Sequence, residues 1–502
     1  MRSWRNVIAA GMIAAILLCG EAFALPNTEN AESAESAALT VTFNIGRESQ
    51  KSDVISGTCP AEVPAEDAGG AKINAWRDAK GLPANPAEEP VTADTVYYAV
   101  FVPEIIKSEH PVFVGGDSGG MFHPNRQVTR AEFAQMLSNV VKTDPERTVS
   151  FSDVPAGKWY YKAVSELAGA GVVWGEDGKF KPAKTLTRAE LAVILSVFCV
   201  SDESTVSFSD VAEDYWAHDA IASVASQGWM SGSGSGLFKP DAPVTRAQAV
   251  SVINRLLSRQ ADAAALNTHA FLAFTDVLEG SWYYNDVIEA SIQHSAAAAE
   301  DGTEQWTGYK QTARPLKEGF YTFGQDLYYV AADGVPVTSK TLGNFKFDAK
   351  GRYTSGNTEL DGYVKAALAK CVKPGMTQFE KLHAAYNYAR DSFSYLRRDY
   401  YTRGYTGWEM KNALVMFQTG RGNCYCYASV FYYLSKQLGY DSNTVSGVVG
   451  TNSRPHGWVE ISFDGVKYIF DTELEMAYRA KGVYGYNFFK MAYNRVPWPY
   501  VK

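Results

Sequence analysis

Apolar and polar residues repeat in a fixed order through the middle of the chain. The tripeptide T-R-A occurs at 129–131, 187–189 and 245–247, and apolar residues such as Phe133 and Leu137 follow it at helical spacing. A threonine in this place is a favourable N-cap because its hydroxyl accepts hydrogen bonds from the first helical turn. Each copy is therefore predicted to begin a helix directly after the threonine.

A second motif alternates with the first and predicts a partner for each helix. It reads F-x-D-V at 151–154, 208–211 and 274–277, and a tryptophan follows each copy. Its aspartates are predicted to cap these partner helices: Asp153, Asp210 and Asp276. A short helix pair cannot bury its apolar face alone, so the pattern predicts an all-α bundle of stacked units.

Strand patterns flank the helical region. Residues 39–101 contain β-branched and aromatic runs, and they resemble the small β-grasp-like repeats of bacterial surface proteins, which implies a spacer. Residues 306–357 contain tyrosine-rich strands that end in Asp-Gly or Lys-Gly, which favours a β-hairpin linker. These strands also resemble aromatic glycan-binding repeats of wall proteins, and that alternative stays open.

Helices and strands are both predicted after residue 358. One helix follows Asn423 and ends at Gly439, a residue type that favours helix C-termini. Three later runs are typical of strands: 444–449, 457–463 and 466–470. Asp464-Gly465 joins the last two in a tight hairpin, so this part is predicted to be an α+β domain.

Length and composition fit several folded modules. At 502 residues, with 46% hydrophobic and 20% charged residues, the chain exceeds one ordinary core. A net charge of −8 provides no basic surface, which argues against nucleic-acid binding. The expected fold is multidomain: a small β-rich N-terminal module, an all-α repeat bundle and a C-terminal α+β domain.

The first residues have the pattern of a secretory signal. Arg2 and Arg5 precede an apolar run at 7–18 that is too short to span a bilayer, and A-F-A at 22–24 is typical of a cleavage site. We therefore expect a signal peptide at residues 1–24 and no transmembrane segment after its removal.

The repeated motifs, F-x-D-V, then W, then G-x-F-x-P and T-R-A-E, resemble the S-layer homology family. The resemblance implies three repeats at 102–305 that hold a secreted protein on secondary cell-wall polysaccharide, at the cell wall or S-layer of a Gram-positive-type envelope. The family's ligand-contacting arginine falls on Arg130, Arg188 and Arg246. Planar guanidinium groups suit acidic groups on such polymers. The alternative is a bundle without ligand, in which these arginines only cap and pair.

Three departures from the family pattern change the expected closure of the bundle. The first unit lacks its F-x-D-V half, the third has Gln248 where the family has Glu, and a trailing F-x-D-V half at 274–295 has no partner. Because three halves of each type are present, we hypothesise that the trailing half closes a three-fold module.

Two cysteines lie at the start of the helix that follows Asn423. Cys424 is in the first turn, where free N–H groups and the positive helix end stabilise a thiolate. Cys426 lies about 200° further round the helix, so the two thiols cannot face one cleft. Cys424 is therefore the candidate nucleophile and Cys426 a core residue.

A nucleophilic thiol needs a base, and the base needs an orienting group. His456 begins one strand of the predicted hairpin and Asp471 ends the other, so the two lie side by side near Cys424. A metal site of Cys424, Cys426 and His456 is the alternative, but C-x-C gives poor tetrahedral geometry. The sequence has no D-x-D-x-D-G loop either, so no metal and no other cofactor is expected.

Three short motifs resemble the transglutaminase-like superfamily, whose fold is papain-like. They are G-x-C-x-x-Y-A at 422–428, H-x-W-x-E at 456–460 and Asp471. The resemblance implies a domain at 358–502 in which Cys424 is the nucleophile, His456 the base and acid, and Asp471 the group that orients the imidazole.

Two further roles are expected around this site. Trp458 is expected to contact substrate, and Gln418 is the candidate oxyanion donor, with Trp408 or a backbone N–H as alternatives.

The expected function combines a wall anchor with thiol chemistry. The thiolate attacks a peptide or glutamine amide and forms a thioester, which water or an amine then resolves. Hydrolysis of proteins or peptidoglycan peptides is favoured over cross-linking, because bacterial members fused to wall-binding units look more like hydrolases. The alternative is a catalytically silent structural or binding protein associated with an S-layer.

Overall fold

The computed structural model describes the chain from residue 38 onward, with short gaps. The described ranges are 38–46, 48–79, 81–107, 110–199, 206–298, 304–373 and 375–502. The predicted signal peptide at 1–24 lies outside them. Within these ranges, none of the helices has the length and apolarity needed to cross a membrane.

A mixed five-stranded sheet forms the N-terminal module. Its strands are β1 (Ala38–Ile45), β2 (Glu48–Ile55), β3 (Ala75–Arg77), β4 (Pro83–Ala84) and β5 (Thr95–Val100). Their order is β2-β1-β5-β3-β4, with β1 and β5 parallel and the other neighbours antiparallel. Phe43 contacts the rings of Trp76 and Tyr97 in the core of this module.

Short helices dominate the described part of the repeat region. The elements are β6 (Glu104–Ile105), α1 (Arg130–Ser138), β7 (Val141–Lys142), α2 (Tyr161–Gly169), α3 (Arg188–Ser196), α4 (His218–Ser226), α5 (Arg246–Leu257), α6 (Ala263–Thr268), α7 (Tyr284–Ser291), β8 (His294–Ala298) and β9 (Glu304–Tyr309). Their apolar faces share one large core.

The T-R-A copies begin α1, α3 and α5 as predicted. Each helix starts with a capping box, in which the threonine and the third helical residue bond each other's backbone N–H. The pairs are Thr129 with Glu132, Thr187 with Glu190 and Thr245 with Gln248. Gln248 completes its box because an amide oxygen accepts the same bond, at 2.9 Å from the Thr245 nitrogen.

The aspartates of the F-x-D-V copies do not cap α2, α4 and α7, so that prediction is wrong. These helices have no side-chain cap. Asp153 instead accepts from the N–H groups of Phe180 and Lys181, both at 2.8 Å. Lys181 has a positive φ of 59°, which is unfavourable for a residue with a side chain. The aspartate therefore stabilises a turn in the other half of its unit.

The same contact closes the repeat region into a ring. Asp210 binds the N–H groups of Phe238 and the next residue, both at 2.7 Å. Asp276 binds those of Phe122 and the next residue, also at 2.7 Å. Because Asp276 belongs to the trailing half and Phe122 to the first unit, the trailing half completes the first unit. This is the arrangement that a three-fold module requires.

The repeat region is not all-α, which corrects the predicted fold class. β6 pairs with β7, and β8 pairs with β9. Isolated bridges also join the extended residues before the T-R-A helices: Gln127 to Thr245, Thr129 to Thr185 and Thr187 to Pro243. These bridges form because the three extended segments meet in cyclic order, so the region is mixed α/β.

Two small sheets follow the repeat region. Their strands are β10 (Gly319–Phe323), β11 (Asp326–Val330), β12 (Thr341–Leu342), β13 (Phe345–Phe347) and β14 (Tyr353–Thr354). Phe320 and Phe345 join the two sheets, with ring centres 4.6 Å apart. The second sheet contacts the last domain, where Lys436 Nζ lies 3.5 Å from the centre of the Phe345 ring.

The C-terminal domain packs helices against an antiparallel sheet. Its elements are α8 (Thr358–Cys371), α9 (Gln378–Asp391), β15 (Ser394–Tyr395), α10 (Glu409–Thr419), β16 (Arg421–Gly422), α11 (Cys424–Gln437), β17 (Ser442–Val449), β18 (Arg454–Phe463), β19 (Val466–Phe470), α12 (Thr472–Arg479), β20 (Met491–Ala492) and β21 (Tyr500–Val501). The main sheet has the order β20-β19-β18-β17-β21. Nearly every residue of α11 is buried against this sheet and α8–α10, so the first turn of α11 lies deep in the domain.

Replacing Asp276 by Ala tests the closed ring. The change leaves two backbone N–H groups without their acceptor, and we expect it to destabilise the full chain by about 1–3 kcal/mol. Thermal unfolding measures the effect. Asp214→Ala, which removes an exposed carboxylate, is the matched control. Equal midpoints for the two variants would contradict a ring closed by Asp276.

Candidate active site

The sequence before α11 places Cys424 at the first helical position. Gly420 ends α10 with a positive φ of 69°, and β16 then pairs with β15 in parallel. Asn423 is the N-cap of α11, and its side-chain oxygen accepts from the Cys426 N–H at 3.4 Å. Cys424 is 2% exposed, and its thiol lies close enough to His456 for the two groups to interact.

Cys426 points away from this contact, as predicted. It has no exposed surface, and its Sγ lies 3.4 Å from Asn412 Oδ1 on α10. Burial raises the pKa of its thiol to about 11. Gly422 lies against it, and a Cβ at that position would overlap the Cys426 side chain. Cys426 is therefore a packed core thiol.

His456 and Asp471 come together through the predicted hairpin. His456 lies on β18, whose partner β19 ends at Phe470, directly before Asp471. The distance from His456 Nε2 to Asp471 Oδ2 is 2.6 Å. Asp471 is also the N-cap of α12 and accepts from the Leu474 N–H at 3.0 Å. Its carboxylate is therefore held in one orientation towards the imidazole.

The surroundings of His456 favour its protonated form. Burial alone disfavours the imidazolium, but the charges of Asp471 and Cys424 and the hydrogen bonds with both residues outweigh it. The pKa of His456 is thus raised well above its usual 6.5. Since Nε2 binds Asp471, Nδ1 is the nitrogen left for the thiol. A thiolate, an imidazolium and a carboxylate in this order form the working arrangement of a cysteine nucleophile.

Trp458 does not line a substrate cleft, which corrects the sequence prediction. Its side chain has no exposed surface, and its Nε1 donates to the Tyr493 hydroxyl at 3.1 Å. Its ring lies near His456, with centres 6.4 Å apart and planes at 21°. Trp458 therefore lies on the same face of β18 as His456 and packs beside it in a small core with Tyr500.

Gln418 is not an oxyanion donor in this structure. It is exposed on α10, and its Nε2 donates to Glu359 Oε1 at 2.8 Å. Trp408 is buried, and its Nε1 donates to the Tyr405 carbonyl at 3.1 Å. Since both side chains already have partners, the backbone N–H groups at the start of α11 are the remaining donors among the predicted alternatives.

Sequence reasoning missed two groups next to the pair. The Tyr500 hydroxyl donates to Asp471 Oδ2 at 2.7 Å, from a strand 29 residues later that carries no motif. Glu473 Oε2 lies 3.9 Å from His456 Nδ1, and burial followed by the charge of Asp471 raises the pKa of Glu473 to about 7, against lowering by His456 and Lys481. Its position in the first turn after Asp471 was the only available signal.

Two exposed tyrosines lie close to the thiol. The hydroxyls of Tyr395 and Tyr400 are 3.1 Å apart, and the two side chains are 41% and 40% exposed. Burial, the Tyr400 hydrogen bond and then the charge of Cys424 raise the pKa of Tyr395. Tyr395 is therefore near enough to Cys424 for the two charges to interact, and the two rings offer exposed surface to a substrate.

The three predicted wall-binding arginines lie between neighbouring units of the ring. In each, Nε donates to a phenylalanine carbonyl of the next unit at 2.8 to 2.9 Å, and the guanidinium stacks on that ring at 4.4 to 4.9 Å. The pairs are Arg130 with Phe180, Arg188 with Phe238 and Arg246 with Phe122. Nη2 binds a second carbonyl in every case. These donors hold the ring together.

The third donor, Nη1, differs among the arginines. It lies 3.7 Å from Glu190 at Arg130 and 3.7 Å from Glu132 at Arg246. At Arg188 the corresponding position is occupied by the neutral Gln248. The positive charge of Arg188 is therefore less compensated by carboxylates than the charges of Arg130 and Arg246.

Arg188 and Arg246 border surface grooves. Gln248 and Trp282 line the first groove, and Trp159 lines the second. Trp282 is 63% exposed and Trp159 is 60% exposed. An exposed indole beside a guanidinium suits a ligand with both a flat apolar face and a negative charge.

Family models match two parts of the chain. The S-layer homology domain model matches residues 113–134, 150–192 and 207–250. The Transglutaminase-like superfamily model matches residues 365–470. The predicted arrangement, with repeats of the first kind followed by a domain of the second, is confirmed.

Similar proteins match the repeat-containing part. The Cellulosome-anchoring protein of Acetivibrio thermocellus is 32% identical over 208 residues, 39% of this chain and 45% of that protein. The Surface-layer 125 kDa protein of Lysinibacillus sphaericus is 30% identical over 236 residues, 45% of this chain and 18% of that protein. The chain thus spans less than half the length of these relatives. A solved structure described as a TGase is 14% identical, with 22% of this chain and 30% of that chain covered, and its TM-score of 0.16 supports no argument.

Alkylation of the full chain by iodoacetamide between pH 4 and 9 tests the thiolate–imidazolium pair. We expect Cys424 to react well below pH 8, because the imidazolium stabilises its thiolate, and Cys426 to stay unreacted because its pKa is about 11. Peptide mapping by mass spectrometry measures both sites.

In His456→Ala, Cys424 should react only near the pKa of an ordinary thiol, about 8.5. His383→Ala, which removes an exposed histidine of the same domain, should leave the profile unchanged. Identical profiles for Cys424 in all three proteins would show that the pair does not form.

Proposed function

We propose that this chain is a cell-surface protein whose repeats hold it on an anionic secondary cell-wall polymer, and whose C-terminal domain is a thiol enzyme. The enzyme cleaves peptide or glutamine amide bonds of proteins or peptidoglycan peptides through a thioester. Secretion to a Gram-positive-type envelope belongs to this proposal. In this proposal the chain consists of a β-rich module at 39–101, repeats at 102–305, a linker at 306–357 and the enzyme at 358–502.

The observation that carries the enzymatic part is the chain of contacts from Cys424 through His456 to Asp471. The thiol lies at a helix start, it contacts the imidazole, and the imidazole is 2.6 Å from a buried carboxylate. A purely structural site gains little from burying three ionisable groups in this order, because each must give up hydration. Catalysis by a thiolate uses all three.

Acylation follows from this geometry. The Cys424 thiolate forms a bond to the amide carbonyl carbon, and the carbonyl oxygen takes the negative charge. The backbone N–H groups at the start of α11 stabilise that oxyanion. His456 gives its proton to the leaving amine as the C–N bond breaks, which leaves a thioester on Cys424.

Deacylation decides the class of enzyme. When water attacks the thioester, His456 accepts its proton, and the products are a carboxylic acid and the free thiol. When an amine attacks, the product is a new amide. We propose hydrolysis as the main reaction, because the resemblance to wall-associated bacterial members favours hydrolases. Transfer to an amine is the second candidate.

The grooves beside Arg188 and Arg246 support the anchoring part of the proposal. Each combines an arginine with an exposed tryptophan, and the relatives include proteins named for cellulosome anchoring and surface layers. The Arg188 groove is the stronger candidate for an anion, since Gln248 replaces the carboxylate that the other arginines meet.

The N-terminal module packs on α3 at the place that corresponds, for Arg130, to the two grooves. Arg77 donates to the Val193 carbonyl at 3.3 Å and to the Ser196 hydroxyl at 3.2 Å on α3. Val193 is the counterpart, 58 residues earlier, of Ser251, which lines the Arg188 groove. The module therefore covers the groove that belongs to Arg130, and polymer binding is left to the other two.

A peptide-cleavage assay on the full chain tests the enzymatic part. Glutamine-containing peptides are incubated with and without an excess of a primary amine, and products are followed by mass spectrometry. We expect carboxylic acid products and a loss of at least about 100-fold in rate for Cys424→Ser, since the serine hydroxyl stays protonated.

Cys426→Ser is the matched control and should keep the rate within a small factor. Amide products in the presence of the amine would assign transfer instead. Equal rates for the two variants would leave the domain as a silent binding or scaffolding module.

Co-sedimentation with purified cell-wall sacculi tests the anchoring part. Trp282→Ala should lower the bound fraction more than Trp159→Ala, because the Trp282 groove has the less compensated arginine. Both tryptophans are exposed, so both variants should keep the thermal midpoint of the wild type. Unchanged binding in the double variant would reject these grooves as the polymer site.

A further inference from the structure

Four ligand-type side chains, none of which belongs to the Cys424 site, come together from the two ends of the repeat region. His110 lies near the start of the repeat region, Glu289 lies on α7, and His294 and Glu304 begin β8 and β9. One ligand atom from each lies within 4.8 Å of all the others. The two histidines are 184 residues apart in the chain, so only the closed ring brings them together.

The separations of these atoms match a tetrahedral metal site. His110 Nδ1 is 2.9 Å from His294 Nε2 and 2.7 Å from Glu304 Oε1. Glu289 Oε1 is 3.1 Å from His294 Nε2 and 3.4 Å from His110 Nδ1. His294 Nε2 is 3.9 Å from Glu304 Oε1. Ligands at zinc bond lengths are about 3.3 Å apart at the corners of a tetrahedron, and these distances lie around that value.

The His294 ring is held as a metal ligand would be. Its Nδ1 donates to the Ile292 carbonyl at 2.8 Å, which leaves the lone pair of the neutral ring on Nε2. The ring also stacks on Trp306, with centres 4.2 Å apart and planes at 19°. These contacts fix the tautomer and aim Nε2 at the two carboxylates.

The carboxylates at this site lack sufficient donors. Glu289 is 1% exposed, and among the described residues neither of its oxygens has a hydrogen-bond partner of suitable geometry; the same holds for Glu304 Oε1. Arg259, whose Nη2 donates to the Ile106 carbonyl, supplies one positive charge close to both. The second carboxylate faces the two imidazole rings, which offset its charge only when a ring is protonated or when the rings and the carboxylates share a metal ion.

We propose that His110, Glu289, His294 and Glu304 bind one divalent transition-metal ion, with zinc as the best match. Two imidazoles and two carboxylates at tetrahedral separations are a donor set that zinc accepts. The side chains are at most 12% exposed, so four protein ligands leave no open position for a substrate. The site is therefore structural, and it connects the start of the repeat region to strands β8 and β9 after α7.

Metal content and thermal unfolding of the full chain test the proposal. The protein is treated with a chelator, dialysed, and then given zinc or cobalt salts alone. We expect about one equivalent of zinc per chain, a midpoint several degrees higher with zinc than without, and the visible absorption of tetrahedral cobalt. Less than about 0.2 equivalents in the wild-type protein would overturn the proposal.

Variants separate this site from the catalytic one. Because His110 lies in an irregular segment, the His110→Gln variant should fold. It should lose at least 10-fold in zinc affinity and most of the zinc-dependent rise in the unfolding midpoint, and Glu304→Gln should do the same. Two control variants should still bind one equivalent of zinc. His269→Gln changes a histidine outside the cluster, and His456→Ala changes the second group of possible ligands, His456, Asp471 and Glu473. Zinc uptake that is lost in His456→Ala but kept in His110→Gln would also overturn the proposal.

Discussion

A carboxylate and an imidazole buried together connect most of the C-terminal domain. Asp471 is 2% exposed and His456 4% exposed, so either group would be strongly destabilising without the other. Asp471 receives bonds from β18, from Tyr500 on β21 and from its own helix. Its carbonyl also accepts from Tyr386 on α9, at 2.9 Å. The pair that the proposed chemistry needs is thus also a junction of the fold, and the same residues serve both.

In the repeat region, buried backbone groups likewise need hydrogen-bond partners from other parts of the fold. In three equivalent turns, an aspartate binds the N–H groups of a phenylalanine and of the next residue, which has a positive φ, and an arginine of another unit binds the phenylalanine carbonyl. These bonds run in a cycle, so no unit is complete alone. The arginines are therefore structural first, and in the proposed anchoring role the exposed tryptophans and the remaining guanidinium donor beside them would contact the polymer.

Much of this organisation was predictable because it is local. The T-R-A capping boxes, the burial of Cys426 opposite Cys424 and the hairpin that places His456 beside Asp471 all follow from spacing along one helix or one pair of strands. The helix caps predicted at Asp153, Asp210 and Asp276 are wrong. An aspartate in the sequence indicates a hydrogen-bond acceptor, but it does not specify which backbone N–H groups will donate to it. In the folded chain these donors lie in the other half of the unit.

The sequence by itself determined the repeat period, the order of the domains and the three residues of the candidate triad. Only the tertiary structure decided that Trp458 packs in the core, that Gln418 binds Glu359, and that His110 meets His294. Period and motif report which face of an element is apolar and where it begins. Contacts between segments that are distant in the chain depend instead on how the folded elements pack together. A polar side chain then pairs with whichever group this packing brings within hydrogen-bond distance.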